Sequence, residues 1–216
     1  MEAIEKQYPW QPDLDETAAR LHVSPEDEAA FADLFRQAVA TFAPRVFARE
    51  VTIDALGDDF ALLSGEWFEG TRLAALLGDA RRVWAFVATA GQPPQIDPDD
   101  PLAVWWLQKL GEDAVHDAMA RFTAEMNAQA EAGTHVNTIS PGSLVDWPIT
   151  QQRPLFSLLG EKNAGVSLTD ACLMLPRCSV SGLLFAAPQS FCSCAHCPMG
   201  HCPNRRAPQL ATNANA

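Results

Sequence analysis

No run in this chain reaches the ~20 apolar residues that a helix needs to cross a bilayer, so no membrane span is expected. The N-terminal stretch, MEAIEKQYPW, is charged and lacks the apolar centre of a secretory signal peptide. A phosphate-binding pattern of the type G-x-x-x-x-G-K is also missing, which argues against a nucleoside-triphosphate enzyme. These absences predict a cytoplasmic protein without a membrane anchor.

Basic residues are scarce, since 15 Lys and Arg stand against 27 Asp and Glu, for a net charge of −12. Phosphate backbones and anionic lipids repel such a chain, so neither nucleic acid nor a membrane is expected as a partner. The 216 residues, 48% of them hydrophobic, suffice for one domain with a sizeable core and an appendage.

Helical and strand patterns follow one another without regular alternation, which predicts an α+β fold with an antiparallel or mixed sheet and flanking helices. The expected helices lie at 13–21, 24–43, 71–77, 102–132 and 149–159, and the expected strands lie at 49–54, 60–64, 83–89, 136–139, 168–175 and 179–187. Trp105, Trp106 and Trp147 are expected to pack in the core or at an interface, and the alternative is an apolar face for a planar macrocycle.

A cluster of cysteines follows the last expected strand, in the pattern C-x-C-x2-C-x4-C, formed by Cys192, Cys194, Cys197 and Cys202. Closely spaced thiolates on one loop can converge on a single metal, and in the cytosol this outcome is favoured over disulfides. Four sulfur ligands suit either zinc or an iron–sulfur cluster, and the spacing does not choose between them. Cys172 and Cys178 lie on expected core strands and are interpreted as buried small hydrophobes.

Several unusual short motifs precede this cluster in a fixed order. They are Ser140-Pro141-Gly142, Leu158-Leu159, the GVSLTD segment at 165–170 and the PRCSVSG segment at 176–182. In this order they resemble the activation domain of cobalamin-dependent methionine synthase. The length of the chain is similar to that of stand-alone, short relatives of this domain rather than a complete enzyme.

The resemblance implies a domain that binds S-adenosylmethionine, docks over a corrinoid and supports its reductive remethylation. The protein would then act on a separate corrinoid protein or methyltransferase. The cofactor-binding residues implied are Ser140, Pro141, Gly142, Ser179, Ser181 and Gly182. The family motif R-x-x-x-G-Y aligns with 138–143, where only the glycine matches. Gly142 also suits a turn with positive φ, and Ser179, Ser181 and Gly182 also suit a tightly packed strand.

The expected organisation is an activation-domain-like unit at 1–190, a cysteine-rich metal-binding segment at 191–206 and a disordered tail at 207–216. A reductive role would favour an iron–sulfur cluster near the corrinoid, whereas zinc would make the tail a structural clasp. The alternative to an accessory protein is a non-catalytic, zinc-clamped module that binds a ligand or partner. An independent methyltransferase is a third and weaker possibility, because no set of catalytic residues is evident.

Overall fold

The computed structural model describes residues 2–195 and 207–208, and its central element is a five-stranded antiparallel sheet of order β1-β2-β6-β10-β7. A three-stranded meander (β3-β4-β5) and a two-stranded hairpin (β8-β9) complete the β-structure of this part of the chain. The strands are β1 (Ala3–Gln7), β2 (Arg45–Val51), β3 (Ile53–Leu56), β4 (Phe60–Leu63), β5 (Glu66–Glu69), β6 (Arg82–Thr89), β7 (His135–Ile139), β8 (Ser167–Leu168), β9 (Met174–Leu175) and β10 (Ser179–Ala187). The helices are α1 (Leu14–Arg20), α2 (Glu28–Thr41), α3 (Thr71–Gly78), α4 (Pro101–Ala128) and α5 (Gln152–Leu159), the last preceded by a 3-10 turn at Ile149–Gln151.

The central strands β6 and β10 are apolar on both faces because both faces of the large sheet are covered. Their register pairs Gly182 with Phe86 and Leu184 with Trp84. Alternate side chains of a strand point to opposite faces, so each strand contributes to two separate cores. This arrangement explains why the sequence of these strands shows apolar runs instead of alternation.

The first face of the sheet packs against α2 and α4. Asp100 caps α4 by accepting from the amides of Leu102 and Ala103, both at 3.0 Å, and Pro101 takes the first helical position. The second face packs against α3, α5 and the inner side of the meander. Core side chains on this second face include Phe47, Phe68, Val87, Trp147, Leu155 and Phe185.

The predicted α+β class is confirmed, with an antiparallel central sheet and helices on both of its faces. Strands β1 and β5 were not predicted, because β1 is a polar edge strand with an alternating exposure pattern and β5 is only four residues long. The single strand expected at 168–175 is wrong. Residues 169–173 form a turn instead, in which the amide of Cys172 donates to Thr169 O at 2.9 Å.

Helix α4 ends at Ala128, four residues before the predicted end at 132. Within the described residues, none of the helices combines the length and apolarity that a bilayer crossing requires.

Candidate functional site

The two serine-containing motifs of the sequence lie side by side at one end of the large sheet. The register of β7 and β10 pairs Ile139 with Leu183, so the turn after β7 begins beside Gly182. Residues 140–142 and 179–182, distant in sequence, thereby form one surface, which we name the SPG–SVSG site. This end of the sheet also contains the end of β6 at Thr89, which pairs with Ser179.

The turn at Ser140-Pro141-Gly142 is held by hydrogen bonds of its own and by Trp147. Ser143 donates its hydroxyl to Ser140 O at 2.6 Å and its amide to the same oxygen at 3.0 Å. Gly142 has φ +85, in the left-handed region that favours glycine, and its amide donates to Trp147 O at 2.7 Å. The interpretation of Gly142 as a turn glycine is therefore confirmed.

Gly182 is required by the close approach of the β7 backbone. A Cβ at this position would overlap the carbonyl oxygen of Ile139 and would lie 3.0 Å from both the Ile139 carbonyl carbon and Ser140 Oγ. Because backbone atoms cannot rotate away as a side chain can, only glycine fits without displacement of β7. The interpretation of Gly182 as a residue of a tightly packed strand is confirmed.

The two serines of the SVSG segment have different environments. The hydroxyl of Ser179 donates to Pro176 O at 2.7 Å and lies 2.9 Å from Thr89 Oγ1, so its hydrogen-bonding capacity is used within the protein. Ser181 is buried, and its Oγ has no hydrogen-bond partner among the described residues. A buried hydroxyl without a partner is costly unless a water or ligand satisfies it. Ser181 thus supplies a buried hydroxyl that the described fold leaves without a hydrogen bond.

The segment from Trp147 to the start of α5 closes the site from the second face. Ile149 in the 3-10 turn lies against Gly142, with its Cδ1 3.4 Å from the position of a Gly142 Cβ. Gln152 follows one turn later and is buried, and its Oε1 is unpaired in the described structure, as is Nε1 of the buried Trp147. Sequence reasoning missed Gln152, because its position after a polar 3-10 turn gave no signal of burial.

The chemistry available at the site is neutral hydrogen bonding. Ser140, Ser181 and Gln152 supply hydroxyl and amide groups, and the turn supplies backbone atoms, while none of the six implied residues is ionisable. Thr138 aligns with the family's arginine. It lies in β7, where it pairs with Leu184 of β10. The arrangement suits recognition of a polar ligand and not acid–base catalysis.

The side chain of Asn137 connects the beginning of the cysteine-rich segment to β7. The buried Asn137 accepts at its Oδ1 from the amide of Phe191 at 2.6 Å and donates from Nδ2 to Gln189 O at 2.9 Å. Cys192 directly follows, and the amide of Ala195 donates to Cys192 O at 3.0 Å. Sequence reasoning missed Asn137, although a polar residue at an inward position of the strand HVNTI was the available signal.

Two of the four predicted metal ligands lie among the residues that the structure describes. Cys192 and Cys194 are described and half-buried, whereas Cys197 and Cys202 lie outside the described residues. In residues 2–195 and 207–208, no group of three or more His, Cys, Asp or Glu side chains is arranged to hold a metal ion. The four-cysteine site therefore stays a prediction.

The remaining two cysteines are packed within the fold. Cys172 is buried, as predicted, although it lies in a turn with φ +60 and not in a strand. The Sγ of Cys178 lies above Gly111 of α4, where no Cβ intervenes, and its thiol donates to Gln108 O at 3.8 Å. Burial, followed by the nearby Glu112 carboxylate, raises the pKa of the Cys178 thiol. Cys178 is only partly buried, so the predicted burial holds for Cys172 and not fully for Cys178.

The fold and the site together define an α+β domain whose glycine turn and small-residue strand meet at the edge of an antiparallel sheet. Residues 141–195 match the sequence family described as "Vitamin B12 dependent methionine synthase, activation domain", so the resemblance predicted from the sequence is confirmed. The match contains most of the SPG–SVSG site and ends within the cysteine-rich segment.

The similarity of fold extends beyond this segment. A solved structure described as "Crystal Structure of the MetH Reactivation Domain bound to AdoHcy" aligns with a TM-score of 0.50 and 17% sequence identity. The alignment covers 89% of this chain and 80% of that one. At this identity the likeness establishes the shared fold. No curated protein matches the chain.

Proposed function

We propose that the chain is an accessory protein that binds S-adenosylmethionine and supports the reductive reactivation of a corrinoid methyltransferase. The observation that carries this proposal is the meeting of the two family motifs at the SPG–SVSG site, with the Ser181 hydroxyl buried and unused by the fold. The family match over 141–195 and the fold of a reactivation domain that binds AdoHcy support it.

The site residues would bind the ligand through neutral groups. Backbone atoms of the turn at Ser140–Gly142 would position it, and the hydroxyl of Ser181 would gain the hydrogen bond that it lacks in the folded chain. Because Thr138 cannot pair with a carboxylate as an arginine does, recognition would depend on hydrogen bonds from neutral protein groups to the ribose hydroxyls and the adenine of the ligand. S-adenosylmethionine, when bound, would supply the methyl group for the corrinoid.

The first test is a calorimetric titration of the full chain with S-adenosylmethionine. We expect saturable binding, weakened about 5- to 10-fold in Ser181→Ala, which corresponds to about 1 kcal/mol. The stability of Ser181→Ala should equal or exceed that of the wild type, since the removed hydroxyl has no partner in the described structure. Absence of any binding heat with the wild-type chain would contradict the proposal.

Ser179→Ala is the matched control. This change removes a hydroxyl that is hydrogen-bonded inside the protein, so we expect a loss of about 1 kcal/mol in the free energy of unfolding. Ligand affinity of the folded variant should be unchanged. The opposite pattern, with affinity lost in Ser179→Ala and retained in Ser181→Ala, would remove Ser181 from the site.

We further propose that Cys192, Cys194, Cys197 and Cys202 bind one metal centre. Asn137, a residue of β7, anchors the start of this segment. Asn137 lies three residues before Ser140, and three residues of an extended strand span only about 10 Å. A centre formed there would lie on the same edge strand as the SPG–SVSG site. An iron–sulfur cluster at this position would suit electron transfer to a corrinoid, and zinc would instead stabilise the segment.

Metal content distinguishes these possibilities. Protein purified without oxygen should contain either iron and sulfide, with visible charge-transfer absorption, or one zinc per chain without such absorption. Replacement of Cys192 and Cys194 by serine should abolish the metal content, and Cys178→Ser should leave it unchanged because Cys178 packs against α4. A chain that retains neither metal after anaerobic purification would refute the metal centre.

The second candidate function is a non-catalytic binding module of the same fold with a zinc-clamped segment. The neutral character of the SPG–SVSG site favours it, because none of its seven residues can act as a catalytic acid or base. Stoichiometric zinc together with ligand binding and no redox response would support this module over the reactivation role.

A further inference from the structure

The meander β3-β4-β5 exposes an apolar face to solvent, away from the core. Its inner residues Ala61, Leu63 and Phe68 are buried against the second core of the large sheet. The register pairs Leu62 with Trp67 and Phe60 with Glu69, which places these residues on the opposite, outer face. A sheet face that is unpartnered usually carries polar side chains, so its apolar character needs an explanation.

The centre of this face is a preformed pair of aromatic rings. Phe60 and Trp67 are stacked with their ring centroids 4.1 Å apart and an interplanar angle of 14°. Trp67 is 49% exposed, although a tryptophan is normally buried. The Phe60 ring lies over Gly57, where a Cβ would overlap it, so the glycine and the tryptophan hold the phenyl ring between them.

One edge of the meander is open. Strand β5 is covered by α5 and by the 3-10 turn that precedes it. Ser157 Oγ of α5 donates to Glu66 Oε1 at 2.5 Å, and the amide of Glu69 donates to Gln151 Oε1 of the turn at 3.2 Å. In the described part of the chain, β3 pairs with β4 alone. Its outer edge therefore presents backbone groups to which an extended segment can add.

The charges carried by the meander itself have one sign. Residues 52–71 contain five acidic side chains and not one Lys, Arg or His, for a local charge of −5. The five are Asp54, Asp58, Asp59, Glu66 and Glu69. A second copy of this chain would bring the same acidic rim to the interface, and the repulsion opposes self-association.

We propose that this surface, which we name the meander face, binds an extended basic segment of a partner protein. One part of the segment adds to the β3 edge, and the residues that continue from it lie over the Phe60–Trp67 pair. Its Lys or Arg side chains are directed to the acidic rim. Arginine and lysine also stack on exposed aromatic rings, which strengthens recognition of a basic partner. The meander face is distinct from the SPG–SVSG site, so its failure would leave the proposed function intact.

The test uses the full chain and a short fluorescein-labelled peptide of alternating lysine and valine, followed by fluorescence anisotropy. We expect saturable binding that weakens as salt is raised. Trp67→Ser and the double change Asp58→Asn with Asp59→Asn should each weaken it at least about 10-fold. Trp105→Ser is the matched control, because Trp105 is 42% exposed but lies on α4, and it should bind as the wild type does.

Four outcomes would overturn the proposal. The first is no binding of the lysine–valine peptide, and the second is equal binding of an alternating glutamate–valine peptide. The third is binding that Trp67→Ser does not change. The fourth is a wild-type dimer in sedimentation that Trp67→Ser dissociates, which would identify a second copy as the occupant.

Discussion

Replacing Gly182 with alanine should destabilise the protein by about 3 kcal/mol, at the upper end of the usual cost of overpacking. The added methyl group would overlap the carbonyl oxygen of Ile139, which is part of the backbone of the neighbouring strand. Relief requires β7 to move away from β10, and this movement also disturbs the turn that starts at Ser140. The midpoint of urea denaturation measures the loss, and S-adenosylmethionine titration of the folded fraction measures the effect on the site.

Gly78→Ala is the control for this prediction. Gly78 ends α3, and the position of its Cβ has no heavy atom within 4 Å. Alanine there should leave the stability unchanged or raise it by up to about 1 kcal/mol, because alanine is the better helix former. If Gly182→Ala were as stable as Gly78→Ala, the close approach of β7 to β10 would be refuted.

Truncating Trp147 to alanine should cost about 3–5 kcal/mol of folding free energy. Its side chain is fully buried in the second core and packs edge-on to Phe68, with ring centroids 6.4 Å apart. Its backbone carbonyl also accepts the hydrogen bond from the Gly142 amide. Alanine retains this carbonyl, but loss of the buried indole allows the backbone at 147 to shift away from the glycine turn. We therefore expect a second effect, in which the folded fraction binds S-adenosylmethionine more weakly.

Two further variants separate these effects. Trp105→Ala removes a half-exposed tryptophan and should change the stability by no more than about 0.5 kcal/mol. Trp147→Phe retains an aromatic ring but removes the indole N–H, which is unpaired among the described residues. It should cost less than Trp147→Ala, with the difference measured by urea denaturation. A Trp147→Ala variant as stable as Trp105→Ala would show that the core around the site is assigned wrongly.

Strand β7 connects the proposed ligand site with the segment that leads to the proposed metal ligands. β7 ends at the glycine turn, and its Asn137 side chain anchors the segment that leads to Cys192. Any ligand at the turn and any metal on the cysteines would thus share a short, paired strand as their support. Rigid elements position functional groups more precisely than loops do, which is consistent with a role in bringing two reactants together.

The sequence by itself determined the α+β class, most of the helices, the central strands β6 and β10, and the family resemblance. These features depend on local patterns, such as the apolar stripe of α2, the apolar runs of the sheet and the order of the SPG and SVSG motifs. The helix start expected at Ser24 is wrong, because α2 begins at Glu28 and the Ser24 hydroxyl donates to the Asp27 carboxylate instead of capping the helix. The strand expected at 168–175 failed because β-propensity is weak where chain reversals compete with it, and here the turn at 169–173 prevails. The four-cysteine site and the division of the chain at 190 and 206 remain predictions.

Tertiary structure alone decided which small residues have their hydrogen bonds satisfied within the fold and which do not. The sequence alone does not distinguish Ser179 from Ser181. In the structure the Ser179 hydroxyl is hydrogen-bonded to Thr89 and Pro176, while the Ser181 hydroxyl is buried without a partner among the described residues. The requirement for glycine at 182 likewise arises from the backbone of a strand more than 40 residues away. Such distinctions depend on long-range register, which sets the distance between atoms that no local pattern relates.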